Sequence, residues 1–259
     1  MKRLIYQVYV GRRSKLYDVC TNSVKDYCKK YDIDHVVQRT PILRIKPDIF
    51  STNRSKESYE KHGGFLPIYE KENAFSYWPK YDQICIVDSD IWIRPDAPNI
   101  FDAIDPGMDF AGAVEQQMPI NDWYKQKILN YSQMQYGQLK IDWKFDRKLG
   151  YPFMNMGLML MNKSFAKYLN DETPHQFLRR PEFKGFIDGM GAWKWSTDQT
   201  LLNYWIRKER MKIQELDWKW NALFTAVKDP RQAYFVHFFL KDKLPNRGEN
   251  VEELMKHVI

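Results

Sequence analysis

The run Gln83-Ile84-Cys85-Ile86-Val87-Asp88-Ser89-Asp90-Ile91-Trp92 decides how the rest of the chain is read. It starts as a nearly continuous apolar run, the pattern of a strand covered on both faces, and ends on two carboxylates one residue apart. Side chains alternate along a strand, so Asp88 and Asp90 are expected on one side, close enough to share a cation. Carboxylate oxygens suit a hard divalent ion such as Mg²⁺ or Mn²⁺, which often holds substrate phosphates in its remaining positions. A diphosphate is therefore the expected ligand. Acids of this kind also occur as solvated turn residues, and it is the apolar strand ahead of them that favours a site.

A chain of 259 residues fits one large α/β domain, and no Gly/Ser/Pro-rich linker divides it. The net charge of +7 arises from 40 basic residues interleaved with 33 acidic ones, without an arginine-rich block. That argues against nucleic acid as a partner and for a surface tolerant of phosphate or acidic lipid. Cys20, Cys28 and Cys85 form no disulfide or metal framework and read as reduced core residues. No run approaches the roughly 20 apolar residues of a membrane span, and the N-terminus enters a strand without a secretory apolar segment. A soluble cytoplasmic protein, bacterial or viral, is the expectation.

Residues 4–10 are rich in β-branched and aromatic side chains and stop at Gly11. Residues 16–31 then carry apolar side chains at helical spacing, at Leu16, Val19, Cys20, Val24, Tyr27 and Cys28. A second strand is expected over 34–39, completing a βαβ unit and hence a mainly parallel central sheet flanked by helices. Ligands of such sheets gather at the carboxyl ends of the strands, which makes the Gly11-Arg12-Arg13 turn a candidate for a base or phosphate, or else a basic surface turn. Residues 42–61 are polar, contain Pro47 and read as a long loop acting as a flap or acceptor wall. A helix is expected over 66–78, with Lys71 facing either the cleft or solvent.

Beyond the acids, a turn at Arg94-Pro95-Asp96-Ala97-Pro98 precedes a short helix at 99–104 and a strand at 110–115. Residues 121–148 carry Trp123, Tyr124, Tyr131, Tyr136 and Trp143, rings that stack on sugars or simply pack. The apolar run 153–161 is interrupted by Asn155 and Gly157. A buried amide needs partners, since leaving one unpaired costs about 1–3 kcal/mol, and glycine permits close approach. Met154, Met156, Met159 and Met161 read as core filler. Ser196-Thr197-Asp198-Gln199 is a helix start, with Ser196 or Thr197 as cap and Asp198 well placed in the first turn. Residues 233–239 form a strand carrying His237, followed by Lys241 and Lys243, and 251–259 is a short amphipathic stretch that offers a peripheral membrane contact.

Taken in order, these residues resemble the GT-A fold nucleotide-sugar glycosyltransferases, specifically the retaining family that includes glycogenin and the bacterial lipopolysaccharide galactosyltransferases. The resemblance covers residues 2–245. It rests on Tyr17 after the first strand, Lys71 on the helix before the acids, and the D-x-D triplet Asp88-Ser89-Asp90. Asn155-Met156-Gly157 follows as an N-x-G match, then Asp198-Gln199, and last His237 with Lys243. It implies a single GT-A (Rossmann-like) domain over 1–259, with a nucleotide-binding part over about 1–115 and an acceptor part over about 116–259. It further implies that Asp88, Asp90 and His237 hold Mn²⁺ or Mg²⁺ against the diphosphate of a UDP-sugar, UDP-glucose or UDP-galactose foremost. Tyr9, Gly11, Arg12, Tyr17, Lys71, Ser89, Asn155, Gly157 and Lys243 would contact that donor.

Asp198 or Gln199 would lie under the anomeric carbon, unless the acceptor attacks from the leaving-group face. A glycan, glycolipid or protein would receive the sugar with retention. Two features depart from the family: Leu240 stands where it carries a glycine, and the first loop offers Arg12 and Arg13 in place of an acid. Two rivals remain at this point. One is a nucleotidyltransferase with the same D-x-D metal site, the other a non-catalytic basic module for nucleic acid or membrane.

Overall fold

A computed structural model describes residues 1–50 and 56–259; residues 51–55, inside the segment read as a flap, lie outside the described residues. Strand β1 (Arg3–Val8), helix α1 (Lys15–Tyr31) and β2 (Asp34–Gln38) form the expected βαβ unit. Helix α2 (Lys56–Lys61) follows, then consecutive 3₁₀ turns over Pro67–Tyr77, then β3 (Gln83–Val87) and β4 (Ile91–Ile93). The chain continues through β5 (Phe110–Ala113), α3 (Asp122–Tyr136), β6 (Leu158–Asn162), α4 (Pro174–Leu178), α5 (Lys184–Asp188) and α6 (Asp198–Lys208). It closes with β7 (Ile213–Leu216), β8 (Ala222–Leu223), β9 (Phe235–His237) and α7 (Val251–Met255).

The six-stranded sheet has the order β2-β1-β3-β6-β5-β7, and every strand but β6 runs the same way. The mainly parallel sheet is thus as expected. Its one reversed strand positions the site. Because β6 is antiparallel to β3, with Val87 opposite Leu158, the residues just before β6 meet the carboxyl end of β3. A second, three-stranded sheet of order β4-β9-β8 packs beside it.

The central strands are buried on both faces, which is why they read as continuous apolar runs. Ile84, Ile86, Met159 and Met161 pack with Phe165, Phe177 and Trp205 on one side. Cys85, Val87, Leu158 and Leu160 pack with Val24, Tyr27 and Phe101 on the other. Full burial of each such side chain contributes about 1.5–3 kcal/mol. All three cysteines are buried and unbridged. Among the described residues no helix is long and apolar enough to cross a membrane.

Two local expectations are corrected. The 42–61 segment is not one loop, since it ends in α2, and its start is pinned: the carboxylate of Glu70 accepts from the backbone N–H groups of Ile42, Leu43 and Arg44 at 2.7–3.0 Å. The helix expected over 66–78 winds as 3₁₀ turns instead. Its middle is enclosed, with the consecutive polar residues Glu70, Lys71, Glu72 and Asn73 all buried.

Candidate active site

β3 stops at Val87, so the two acids meet through a turn and not through the pleat of a strand. Ile91 N–H donates to the Asp88 carbonyl at 3.1 Å, and Asp88 N–H to the Gly157 carbonyl at 2.8 Å. The chain then enters β4, which pairs antiparallel with β9 so that Ile91 lies opposite His237. This pairing carries the imidazole to the acids: His237 Nε2 is 3.3 Å from Asp90 Oδ1 and 3.8 Å from Asp88 Oδ2. One ligand atom from each of Asp88, Asp90 and His237 lies within 4.8 Å of the others.

The imidazole is aimed from behind. Its Nδ1 lies 3.2 Å from Asn221 Oδ1, so Nδ1–H donates there and Nε2 is turned to the carboxylates. Asn221 Nδ2 in turn donates to Asn155 Oδ1 (3.0 Å), which also accepts from Gly157 N–H (2.9 Å). Asn155 Nδ2 donates to Glu115 Oε1 (2.7 Å), and the Tyr124 hydroxyl to Glu115 Oε2 (2.8 Å). Gly157 has no room for a side chain, because a Cβ there would lie 2.6 Å from His237 Nδ1. The glycine in the N-x-G stretch thus answers a close approach.

Lys71 ties the acids to the opposite wall. Its Nζ donates to the Met156 carbonyl at 3.0 Å and forms ion pairs with Asp88 Oδ1 at 3.0 Å and Asp198 Oδ2 at 2.6 Å. Burial disfavours the ammonium, but Asp198 and Asp88 outweigh it and raise its pKa above the ordinary value. Burial raises the Asp88 carboxyl, with Lys71 opposing. Burial also works against Asp90, yet His237 overcomes it and holds that carboxyl below its usual range. His237 is pushed down by burial and more strongly up by Asp90 and Asp88. Beside Lys71, the fully buried Glu72 is pushed well up by burial and by Asp198.

Two carboxylates and one imidazole nitrogen match what a divalent ion of the Mn²⁺ or Mg²⁺ kind takes. An imidazole fixed through its other nitrogen is the usual setting of a metal-ligating histidine. The residues fit such an ion.

A cleft of about 300 Å³ gathers the predicted residues Lys71, Asp88, Asp90, Asn155, Gly157, Asp198, Gln199 and His237. Asp198 opens α6, capped by Thr197, whose hydroxyl accepts from Gln199 N–H at 3.2 Å. Ser89, Tyr9, Gly11, Arg12, Tyr17 and Lys243 are not in its lining. Tyr9 is buried, its hydroxyl accepting from Ser14 N–H at 2.7 Å. Gly11 has φ +111° and Arg12 is exposed. Tyr17 meets Tyr9 edge-on at 5.3 Å, with Lys241 Nζ 3.8 Å from its ring centre. Lys243 instead lies over Trp123 at 3.9 Å.

Lys241, whose charge is disfavoured by burial and favoured by Asp90, was named in the sequence after the histidine strand but given no role in the site. Glu115 and Asn221 were missed. Leu240, at the position where the resemblance led to the expectation of a glycine, adopts φ 57°, ψ 62°, a left-handed conformation that favours glycine.

No protein-family model and no curated protein matches the chain. Solved structures do. A glycosyltransferase involved in the glycosylation of the major capsid of PBCV-1 aligns with a TM-score of 0.51 and 15% identity, over 99% of this chain and 100% of that one. The bifunctional glycosyltransferase WbbM aligns with a TM-score of 0.54 and 12% identity, over 99% of this chain, which spans 52% of WbbM. The galactosyltransferase LgtC, in complex with donor and acceptor sugar analogs, aligns with a TM-score of 0.50 and 12% identity, over 91% of this chain and 87% of that one. The chain has the α/β GT-A fold of these glycosyltransferases.

Proposed function

We propose that this protein is a metal-dependent glycosyltransferase that moves a sugar from a UDP-sugar, UDP-glucose or UDP-galactose foremost, to a glycan, glycolipid or protein acceptor. The observation that carries the reading is the convergence of Asp88, Asp90 and His237 beside Lys71, in a cleft at the carboxyl edge of a GT-A sheet. Retention is the outcome that the family resemblance implies.

In the reaction, an acceptor hydroxyl oxygen bonds to the anomeric carbon of the donor sugar. The bond from that carbon to the β-phosphate oxygen breaks, its electron pair leaves with UDP, and the hydroxyl proton ends on the released diphosphate. Asp88, Asp90 and His237 would hold a divalent ion, which when bound supplies Lewis-acid stabilisation of the charge growing on the diphosphate. Lys71 adds a fixed positive charge within the same cleft, held in place by its three partners and so needing no reorganisation. Asp198 and Gln199, at the start of α6, line the wall on which the sugar would lie. The Asn155 amide already serves Gly157, Asn221 and Glu115, so its main task is to hold the backbone of this wall.

The test is the melting temperature with UDP- and GDP-sugars, each with and without Mn²⁺. A ligand at 100 times its Kd stabilises by about 2.7 kcal/mol, so a Mn²⁺-dependent rise with a UDP-sugar is expected. Absence of any shift across the panel sinks the reading. Release of pyrophosphate from a nucleoside triphosphate would redirect it to nucleotidyl transfer.

A further inference from the structure

The 3₁₀ turns over Pro67–Tyr77 bury four consecutive polar side chains, and three of them are matched. Glu70 accepts from Gln38 Nε2 at 2.7 Å and from the backbone N–H groups of Ile42, Leu43 and Arg44. Lys71 pairs with Asp88 and Asp198, and Asn73 Nδ2 donates to the Tyr6 hydroxyl at 2.9 Å. Glu72 is the exception. It is 0% exposed, and neither of its carboxylate oxygens has a hydrogen-bond partner in any other described residue.

We propose that Glu72 is a positioning residue of the donor cleft, a buried carboxylic acid that keeps its proton in the folded protein and so leaves Lys71 shared by Asp88 and Asp198 alone. Its bearing on donor binding rests on the glycosyl transfer proposed above.

A carboxylate buried without donors or water is disfavoured, and such a group takes up a proton instead of staying charged. The surrounding charges do not reverse this. Burial and then Asp198, at the start of α6, push Glu72 up; Lys71 opposes them and Glu70 adds to them. Of the elements packed on this turn, β1 brings the Tyr6 hydroxyl and Arg3, whose guanidinium bonds Gln83 and Asp102, while β3 brings no charged group. Helix α4 turns Phe177 and Leu178 to the core and leaves His175 exposed. An ionised Glu72 would set a third carboxylate on one ammonium. It would repel Asp198 and draw Lys71 off Asp88, loosening the tie between the metal cluster and the wall at α6.

Two measurements need no donor. The infrared difference between the wild type and Glu72→Gln at about pH 7 should contain the carbonyl band of one protonated carboxylic acid. Denaturant unfolding of the same pair over roughly pH 5 to 9 is the second. The folded acid keeps a proton that the unfolded chain releases above its ordinary value of 4.5, so its stabilisation is present at low pH and is lost as pH rises. The wild-type folding constant should therefore fall relative to that of Glu72→Gln, by up to about tenfold per pH unit. A missing band, or a ratio that does not change with pH, overturns the proposal.

The effect on the cleft is read with the UDP-sugar and Mn²⁺. Glu72→Ala should lower kcat/KM about tenfold, and Glu72→Gln, neutral and of the same shape, should restore most of it. The wild-type donor KM should rise at the pH where the stability ratio levels off, with no such rise in Glu72→Gln. If the ratio falls steadily over the whole range, the two KM profiles should coincide. Equal kcat/KM in the two variants removes the positioning role, as do KM profiles that do not follow the stability ratio. Absence of the donor-induced rise in melting temperature sinks the glycosyl transfer and leaves the protonated acid standing.

Discussion

Two clefts, of about 300 Å³ and 850 Å³, share a wall of Asn155, Gln199, Phe239 and Leu240 but differ in the rest of their lining. Around the acids, polar groups are held by one another: Lys71 pairs with two carboxylates and donates to a carbonyl, Asn155 bonds three neighbours, and His237 is fixed through Asn221. The larger cleft presents aromatic rings that remain partly exposed, with exposed polar groups such as Asn130 and Asp242 at its rim. Charge that must stabilise a leaving group has to be set in advance, and a locked network does that. A partly exposed lining can change residue by residue at little cost to the fold.

The contrast breaks most visibly at the acids. Asp88→Asn or His237→Ala should lower Mn²⁺-dependent transfer by about 10²-fold or more while the melting curve keeps its cooperative shape. Near-normal turnover would remove the metal assignment.

Lys71→Met strands Asp88 and Asp198 without their cation, and a loss of roughly 3–5 kcal/mol is expected in denaturant unfolding. A loss below about 1 kcal/mol would mean that the locked network contributes little. Gly157→Ala should displace the imidazole and weaken Mn²⁺ binding by roughly 10- to 100-fold, read by titration calorimetry. Unaltered affinity would show that the close approach is unimportant. Trp195→Ala, on the other cleft, should cost far less stability than Lys71→Met, and equal costs would erase the distinction between the two regions.

A further effect, confined to acid pH, concerns His35, whose Nε2 bonds Gln7 Oε1 at 2.9 Å, while Gln7 Nε2 donates to the Asp88 carbonyl at 3.3 Å. Burial first, then Lys25 and Arg39, lowers its pKa from 6.5 to about 4. The unfolded chain therefore binds the extra proton between those values. The stabilisation is complete above about pH 6.5 and is lost as pH falls toward 4. The melting temperature should decline over that window, and His35→Gln should flatten the decline. An unchanged slope in the variant would assign the acid sensitivity elsewhere.

What the sequence made legible was whatever depends on local pattern. β1, α1, β2 and β3 follow from period and punctuation, and α6 from its Thr197 cap. The order of Lys71, Asp88, Asp90, Asp198, Gln199 and His237 marked out residues that do share one cleft. The partners behind them were not legible. Glu115 ended a predicted strand, yet nothing local says that it receives the amide of Asn155 and the hydroxyl of Tyr124 across the fold.

The first loop is another such case. Tyr9 and Tyr17 follow a strand that points the right way, but their ring directions depend on contacts with Ser14, Arg39 and Lys241. The placing of Lys241 over Tyr17 and of Lys243 over Trp123 likewise follows a left-handed turn at Leu240, which no spacing rule encodes.

The pairing of β4 with β9 also bears on how the chain reaches its native state. Asp90 and His237 belong to distant parts of the sequence and meet only through that antiparallel ladder. Closing so long a loop carries an entropic cost before the contact rewards it, and such contacts slow folding. The cluster of Asp88, Asp90 and His237 should therefore be among the last features to form on refolding. Recovery of Mn²⁺ binding is expected to lag behind recovery of helical signal from α1, whose contacts are local.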